Sequence, residues 1–459
     1  MRSFPKAIAL YLLVLLAVPA FCQYTDVAAF NELGGAKEFS HRREALANEL
    51  KTGYVLLFAN TEEPQANHYR EDNDFYYFTG VADVGAVMLM DVEKKSAVLF
   101  EPEQSPRMRK YLELNLLSRS KDEISKFGFK SVMPIEMLYP VLNSTLAGGA
   151  EPDVWLRLGY PDKVDGARSE SGMDAAAEYQ HPFGETLTLD RERVKRLRER
   201  WPAAHTRDLS AVVDRMRNIK TATEIEVLRR NGKLSAEGIR RAIAHAKPGM
   251  FEYQVEAVAS EVFRDMGAQG VAYTAIVGSG PNSNVWHYSS NRRKMESGEV
   301  VVFDYAADLN QMTMDITRTF PVSGKFSPEQ AKWYAADLEA QKAMVAALKP
   351  GTTYEQVGDI GKQIYTKHGV GDQWHGFTAI GHFVGLGVHD VLTPVGPVKA
   401  GQVVTVEPMI EFPEKHMHIR IEDTVLITEN GAEVLTSGVP KEMAEIEQLV
   451  GSEKQEPKK

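Results

Sequence analysis

The 459-residue chain holds one cysteine, Cys22, and no long run of lysine and arginine. A single cysteine cannot close a disulfide within the chain, which excludes a cross-linked scaffold. A nucleic-acid surface needs clustered cations to displace counterions, and a formal net charge of −10 points away from one. The apolar run Ala7–Ala20 is too short to span a bilayer comfortably. What remains, with 43% hydrophobic and 25% charged residues, has the balance of a soluble globular protein. Its length calls for two domains rather than one core.

Arg2 and Lys6 precede that apolar run, and Ala20 and Cys22 stand at the −3 and −1 positions of a cleavage site, so residues 1–22 read as a signal peptide. A short anchor is one alternative. A lipoprotein cysteine is another, which bulky Phe21 fits poorly. The expectation is a secreted or periplasmic protein whose mature chain has no cysteine. Any metal site in it must then use oxygen and imidazole ligands.

Residues 51–100 read as strands and turns, with strands at Tyr54–Phe58 and Ala86–Met90 and the aromatic stretch Asp72–Phe78 between them. Helical patches at Arg107–Leu116 and Lys121–Phe127 make this an α/β domain. Residues 160–187, rich in Gly, Pro, Asp, Ser and Glu, read as a surface excursion. The charged helix Arg191–Arg200 leads to a link near Thr206, which assigns residues 23–205 to a first domain and 206–445 to a second. A polar, disordered tail over 446–459 completes the division. The second domain opens on an amphipathic helix, Thr221–Ala246, with Ile225, Leu228, Leu234, Ile239 and Ile243 on one face. Further helices start at Ser327-Pro328 and Tyr354, and strands lie between and after them. The fold class is α+β.

Several strands of this second half carry charges that packing alone does not require. Val300–Asp304 ends on a carboxylate, and Asp315 follows eleven residues later beyond a turn at Asp308–Gln311, so the two can face each other across a hairpin. In Val403–Glu407, alternation puts Thr405 and Glu407 on one face, and in Ile419–Glu422 it pairs Arg420 with Glu422. Taken singly, each carboxylate is ordinarily a solvated side chain. Taken together, four converging carboxylates would repel one another, and two divalent cations would balance them. His382, between glycines in Gly381–Gly385, supplies one nitrogen, giving a hard site for Mn, Co, Zn or Fe. His287 and His389, by themselves, are ordinary loop histidines.

These residues resemble the metallopeptidases of the pita-bread fold, a group containing aminopeptidase P, prolidase and methionine aminopeptidase. The resemblance rests on Phe303-Asp304, Asp315–Arg318, Gly381-His382, Val388–Asp390, Thr405–Pro408 and Arg420–Asp423, in that order, and on Met216–Lys220 with Glu224-Ile225. In the first half, Asp74–Gly80 is similar to the accessory domain of aminopeptidase P and prolidase. Trp286-His287-Tyr288, with His287 17 residues before Asp304, matches the proline-specific branch.

The resemblance implies an α/β accessory domain followed by a pita-bread catalytic domain, with Asp304, Asp315, His382, Glu407 and Glu422 holding two divalent ions, manganese first among the candidates. It implies a bridging hydroxide as nucleophile, Glu407 as proton shuttle, His287 and His389 as substrate contacts that stabilise the tetrahedral intermediate, and Arg420 orienting the carboxylates from behind. The implied activity is removal of the N-terminal residue from peptides with proline second, by a dimer or tetramer. The alternatives are a prolidase acting on Xaa-Pro dipeptides and a non-catalytic binding protein on the same fold. Two positions depart from the family pattern: Thr378 stands where a histidine is usual, with His375 nearby, and Tyr305 replaces a small residue.

Overall fold

The apolar run Val55–Leu57 shows no polar alternation because both faces of its strand are covered. The computed structural model describes residues 26–61, 69–147, 151–182, 184, 188–375, 380–391 and 396–453. Within these, Tyr54–Phe58 is a central strand of a six-stranded sheet. It pairs antiparallel with Val87–Asp91 and parallel with Asp153–Leu156. Val55 and Leu57 join one apolar cluster with Phe39, Phe75 and Phe78, while Leu56 joins another with Leu142, Val194 and Leu197. Period-2 geometry sends alternate side chains to opposite faces, and helices cover each. The last strand of this sheet, His205–Asp208, pairs with Asp153–Leu156, so the sheet carries the chain through Asp208, past the link expected near Thr206.

Three local expectations are corrected. Asn73–Thr79, read among strands and turns, is a helix. The Asp72 carboxylate accepts from the N–H groups of Asp74 and Phe75, and Gly80 closes the helix in a left-handed conformation, φ 63°. Every residue from Asn73 to Thr79 is buried, so no amphipathic period marks the helix. The patch Arg107–Leu116 contains only a single 3₁₀ turn, Met108–Lys110, whereas Lys121–Ser125 is helical behind a Ser120/Glu123 capping box. The polar tail is not all tail: Met443–Leu449 is a helix with Ile446 fully buried, and the Glu453 N–H donates to the carbonyl of Ala244 at 3.0 Å. One buried isoleucine and backbone pairing outweigh the polar composition there.

The second unit follows its sequence closely. Ala222–His245 is one helix, capped by Thr221 and Glu224, with Leu228, Leu234, Ile239 and Ile243 buried and Ile225 partly so. Pro328–Ala347 and Tyr354–Lys367 are the other long helices expected. Between them lie two three-stranded sheets. One holds Ile276–Ser279, Val300–Asp304 and Thr317–Pro321; the other holds Val403–Val406, Asp423–Thr428 and Gly431–Val434. Two two-stranded pairings accompany them: the hairpin of Met409–Phe412 with Met417–Arg420, and Gly270–Val271 with Ala307–Asp308. No helix among the described residues is long and apolar enough to cross a membrane. The expected signal peptide, 1–22, lies outside the described residues.

Candidate metal and peptide-binding site

The two strands Val300–Asp304 and Thr317–Pro321 pair so that Asp304 stands opposite Thr317. Between them, Asn310 and Gln311 both take positive φ (53° and 64°), and Leu309 and Met312 close the turn. The hairpin thus brings Asp304 and Asp315 together. The Tyr273 hydroxyl lies 2.5 Å from Asp304 Oδ1 and 2.7 Å from Asp315 Oδ1 and spans the gap with its one proton.

The second sheet, the segment running against it and the neighbouring hairpin supply the rest. Thr405 Oγ1 donates to Glu407 Oε1 at 2.9 Å and accepts from the His382 N–H at 3.1 Å. The Thr405 N–H also donates to the carbonyl of His382 at 2.9 Å, so Gly381-His382 runs against the strand. This approach requires glycine: a Cβ on Gly381, at φ 82°, would stand 1.8 Å from Thr405 Oγ1. His382 Nδ1 faces the carbonyl of Phe383 at 3.1 Å, which turns Nε2 toward Asp315 Oδ2 (3.4 Å) and Glu407 Oε1 (3.7 Å). Glu422 stands where the chain leaves Met417–Arg420 and enters Asp423–Thr428. Its Oε2 accepts from Thr317 Oγ1 at 2.6 Å. Arg420 donates to Asp304 Oδ2 at 2.7 Å from behind.

This arrangement is negatively overcharged. Burial, then the charge of Asp315, pushes Asp304 up to about 7. Burial, then the charges of Asp315, Glu407 and Asp304, drives Glu422 well above the carboxylate range, and burial raises Glu407 as well. Burial pulls His382 down, but its bond to Asp315 and the charge of Glu407 prevail and set it at about 9. Glu422 Oε1 is buried with no hydrogen-bond partner among the described residues. Asp315, His382 and Glu422 offer donor atoms all within 4.8 Å of one another. An orphaned carboxylate oxygen beside a convergent oxygen and nitrogen set fits divalent cations.

The five carboxylate and histidine positions read from the sequence all line one cavity of about 270 Å³, with His287, His389 and Arg420 on its walls. The rings of His287 and His389 are 6.3 Å apart, and that of His389 is 4.1 Å from His382. Trp286 Nε1 donates to Glu411 at 2.7 Å and anchors the turn that presents His287. His375 faces Glu411 and the edge of Trp286 rather than the cavity lining. Thr378 lies outside the described residues. Tyr305 turns away from the cavity, with its hydroxyl 3.0 Å from Ser260, so its bulk leaves the pocket unchanged.

Sequence reading missed Tyr273, Asp165 and Glu170. Tyr273 lies in a short connection without periodicity. Asp165 and Glu170 belong to the stretch 160–187, expected to be a surface excursion. Residues 173–182 are largely exposed, as expected, but the expectation is corrected for residues 162–171, which are partly buried against other elements. Asp162 is buried and paired with Arg217, the Val388 N–H donates to the carbonyl of Val164, and Arg168–Gln180 is a helix. A polar composition reads as exposed, but here partners from other elements neutralise the charges.

Two family models match the chain: the aminopeptidase P N-terminal domain over residues 39–155 and metallopeptidase family M24 over 226–429. The Xaa-Pro aminopeptidase of Escherichia coli is 31% identical over 90% of this chain and 97% of its own. The Xaa-Pro dipeptidase of Pyrococcus furiosus is 30% identical over 79% of this chain and 90% of its own. Among solved structures, zinc-substituted E. coli aminopeptidase P in complex with product superposes with a TM-score of 0.76 at 29% identity, covering 92% and 99% of the two chains. The fold and the site define a metal-dependent hydrolase of the pita-bread type. The chain belongs to metallopeptidase family M24, in the branch that carries an aminopeptidase P N-terminal domain.

Proposed function

We propose that the protein is an exported aminopeptidase that releases the N-terminal residue from peptides with proline in second position. One observation carries the reading: five ligand-type residues and two histidines from distant segments line a single cavity, with a buried carboxylate oxygen left over for a cation. Asp304, Asp315, His382, Glu407 and Glu422 would hold two divalent ions, manganese first. When bound, these ions supply an acidified water as nucleophile and polarise the scissile carbonyl.

The chain's own residues do the remaining work. Glu407, tethered by Thr405, moves the proton from the attacking water to the leaving amine. His287 and His389 line the same wall and bear on the carbonyl as it becomes tetrahedral. Arg420 keeps Asp304 turned toward the metal pocket. The charged start, apolar run and cleavage site of residues 1–22 support secretion or a periplasmic location. Assembly as a dimer or tetramer belongs to the same proposal.

The likeness to a Xaa-Pro dipeptidase over 79% of the chain makes prolidase the second reading. The deciding assay offers manganese-loaded mature protein a Xaa-Pro-Xaa tripeptide and a Xaa-Pro dipeptide in parallel. Release of the first residue from the tripeptide, with the dipeptide poorly cut, supports the aminopeptidase and shows that Thr378 is tolerated. Cleavage of the dipeptide alone makes the protein a prolidase, and cleavage of neither by metal-loaded protein rejects proline specificity.

A further inference from the structure

Three contacts from the N-terminal side converge on the segment Gly387–Asp390, which carries His389. The Val388 N–H donates to the carbonyl of Val164 at 2.7 Å. Asp390 and Asp162 share the Arg217 guanidinium, at 2.6 and 2.7 Å. The Glu170 carboxylate places Oε1 and Oε2 at 2.7 and 2.9 Å from His389 Nδ1.

Glu170 is itself held in place. Its Oε2 accepts the Ala167 N–H at 2.6 Å in the first turn of the helix Arg168–Gln180, where the helix dipole favours a negative charge. Arg168, at the start of that helix, is paired with Asp74, Asp162 and Asp214. Asp390 is gripped from its other side by Lys220 at 2.8 Å, an approach that leaves no room at Gly385, where a Cβ would stand 2.1 Å from Asp390 Oδ2. Backbone and side chain of the histidine's segment are therefore both braced from outside the metal sheets.

A carboxylate can only accept, so a carboxylate facing Nδ1 draws the ring proton to that nitrogen and leaves Nε2 for the cavity that His389 lines. We propose that Glu170 is a positioning residue for the peptidase reaction, holding the His389 imidazole in one orientation and one tautomer with Nε2 toward the substrate. The inference rests on the role given to His389 above. It also makes the first domain a structural part of the active site.

Two measurements test it on the metal-loaded enzyme. In the tripeptide assay, Glu170→Ala should lower kcat by about 10–100-fold, the usual scale for a lost orienting partner, with KM within about twofold. Glu170→Gln, which keeps an acceptor, should recover most of that loss. In a His389→Ala background, Glu170→Ala should cost nothing further, because the group it positions is gone. Unchanged kcat in Glu170→Ala, or losses that simply add in the double variant, would overturn the proposal. The second measurement is nitrogen NMR of histidine-labelled, zinc-loaded protein. It should show His389 protonated at Nδ1 in the wild type and in Glu170→Gln, and a tautomer mixture in Glu170→Ala. A wild-type ring without a proton on Nδ1 sinks the idea even if Glu170→Ala fails to fold. If the wild type cleaves no peptide, the functional reading fails while this spectrum still judges Glu170.

Discussion

Two clusters of buried carboxylates lie on either side of His389, and they have opposite electrostatic character. In the one behind it, Asp74, Asp162 and Asp390 are met by Arg168, Arg217 and Lys220 at 2.6–3.1 Å. Burial would raise these acids, but the arginine and lysine charges prevail and hold all three below the usual range, Asp74 at about 2. Asp72, paired with Arg157 at 2.7 Å, is still pushed up by burial. In the cavity, four carboxylates have Arg420 and His382, and Asp304, Glu407 and Glu422 all rise. The same residue types thus build a closed brace in one place and a cation receptor in the other. What differs is whether the chain supplies the positive charge itself.

The comparison can be broken most severely at the receptor. Glu407→Gln should lower kcat on an Xaa-Pro-Xaa peptide by roughly 10²–10⁴-fold, the usual contribution of a positioned proton carrier, while leaving the brace intact and, by removing a repelling charge, not lowering the thermal midpoint of metal-free protein. Steady-state kinetics with a metal assay on the same sample checks it, and near-wild-type kcat removes Glu407 from its role. Arg217→Ala should break the brace. It leaves Asp74, Asp162 and Asp390 buried without their shared partner, at a cost of about 3–5 kcal/mol in denaturant unfolding. A loss below about 1 kcal/mol would mean that Arg168 and Lys220 suffice without it.

The third and mildest expectation sharpens the contrast through pH. An unfolded Asp304 ionises near its ordinary 3.8, whereas in the metal-free fold it does so near 7. Across that window the unfolded chain has released the proton and the folded chain has not, so stability falls as pH rises. His382 adds the same sign at higher pH: its stabilising proton is bound below 6.5 in either state and is lost from the fold near 9. Metal-free protein should therefore melt at progressively lower temperature between about pH 5 and 9, and the difference from metal-saturated protein should widen over that range. A constant gap between the two melting curves would show that the cavity carboxylates are not the strained groups.

Much of the site was legible because its residues stand on regular elements. Alternation along Val403–Glu407 was enough to put Thr405 beside Glu407, and they are hydrogen-bonded. The turn Asp308–Gln311 was enough to bring Asp304 and Asp315 together. The buried helix Asn73–Thr79 was missed because a helix apolar on every side carries no period. The start of the stretch 160–187, residues 162–171, is packed where a surface excursion was expected, because composition reports what residues are, not what they meet.

By itself, the sequence determined three of the long helices of the catalytic half, the strands that carry its ligand residues and the facing of those residues, since these follow from periods of 2 and 3.6 and from caps a few residues long. Only the tertiary structure decided that Tyr273 spans two aspartates, that Glu422 keeps an unpartnered oxygen, and that Glu170 reaches His389 across 219 residues. Contacts between segments so far apart follow no local period. They exist only once packing has brought two surfaces together.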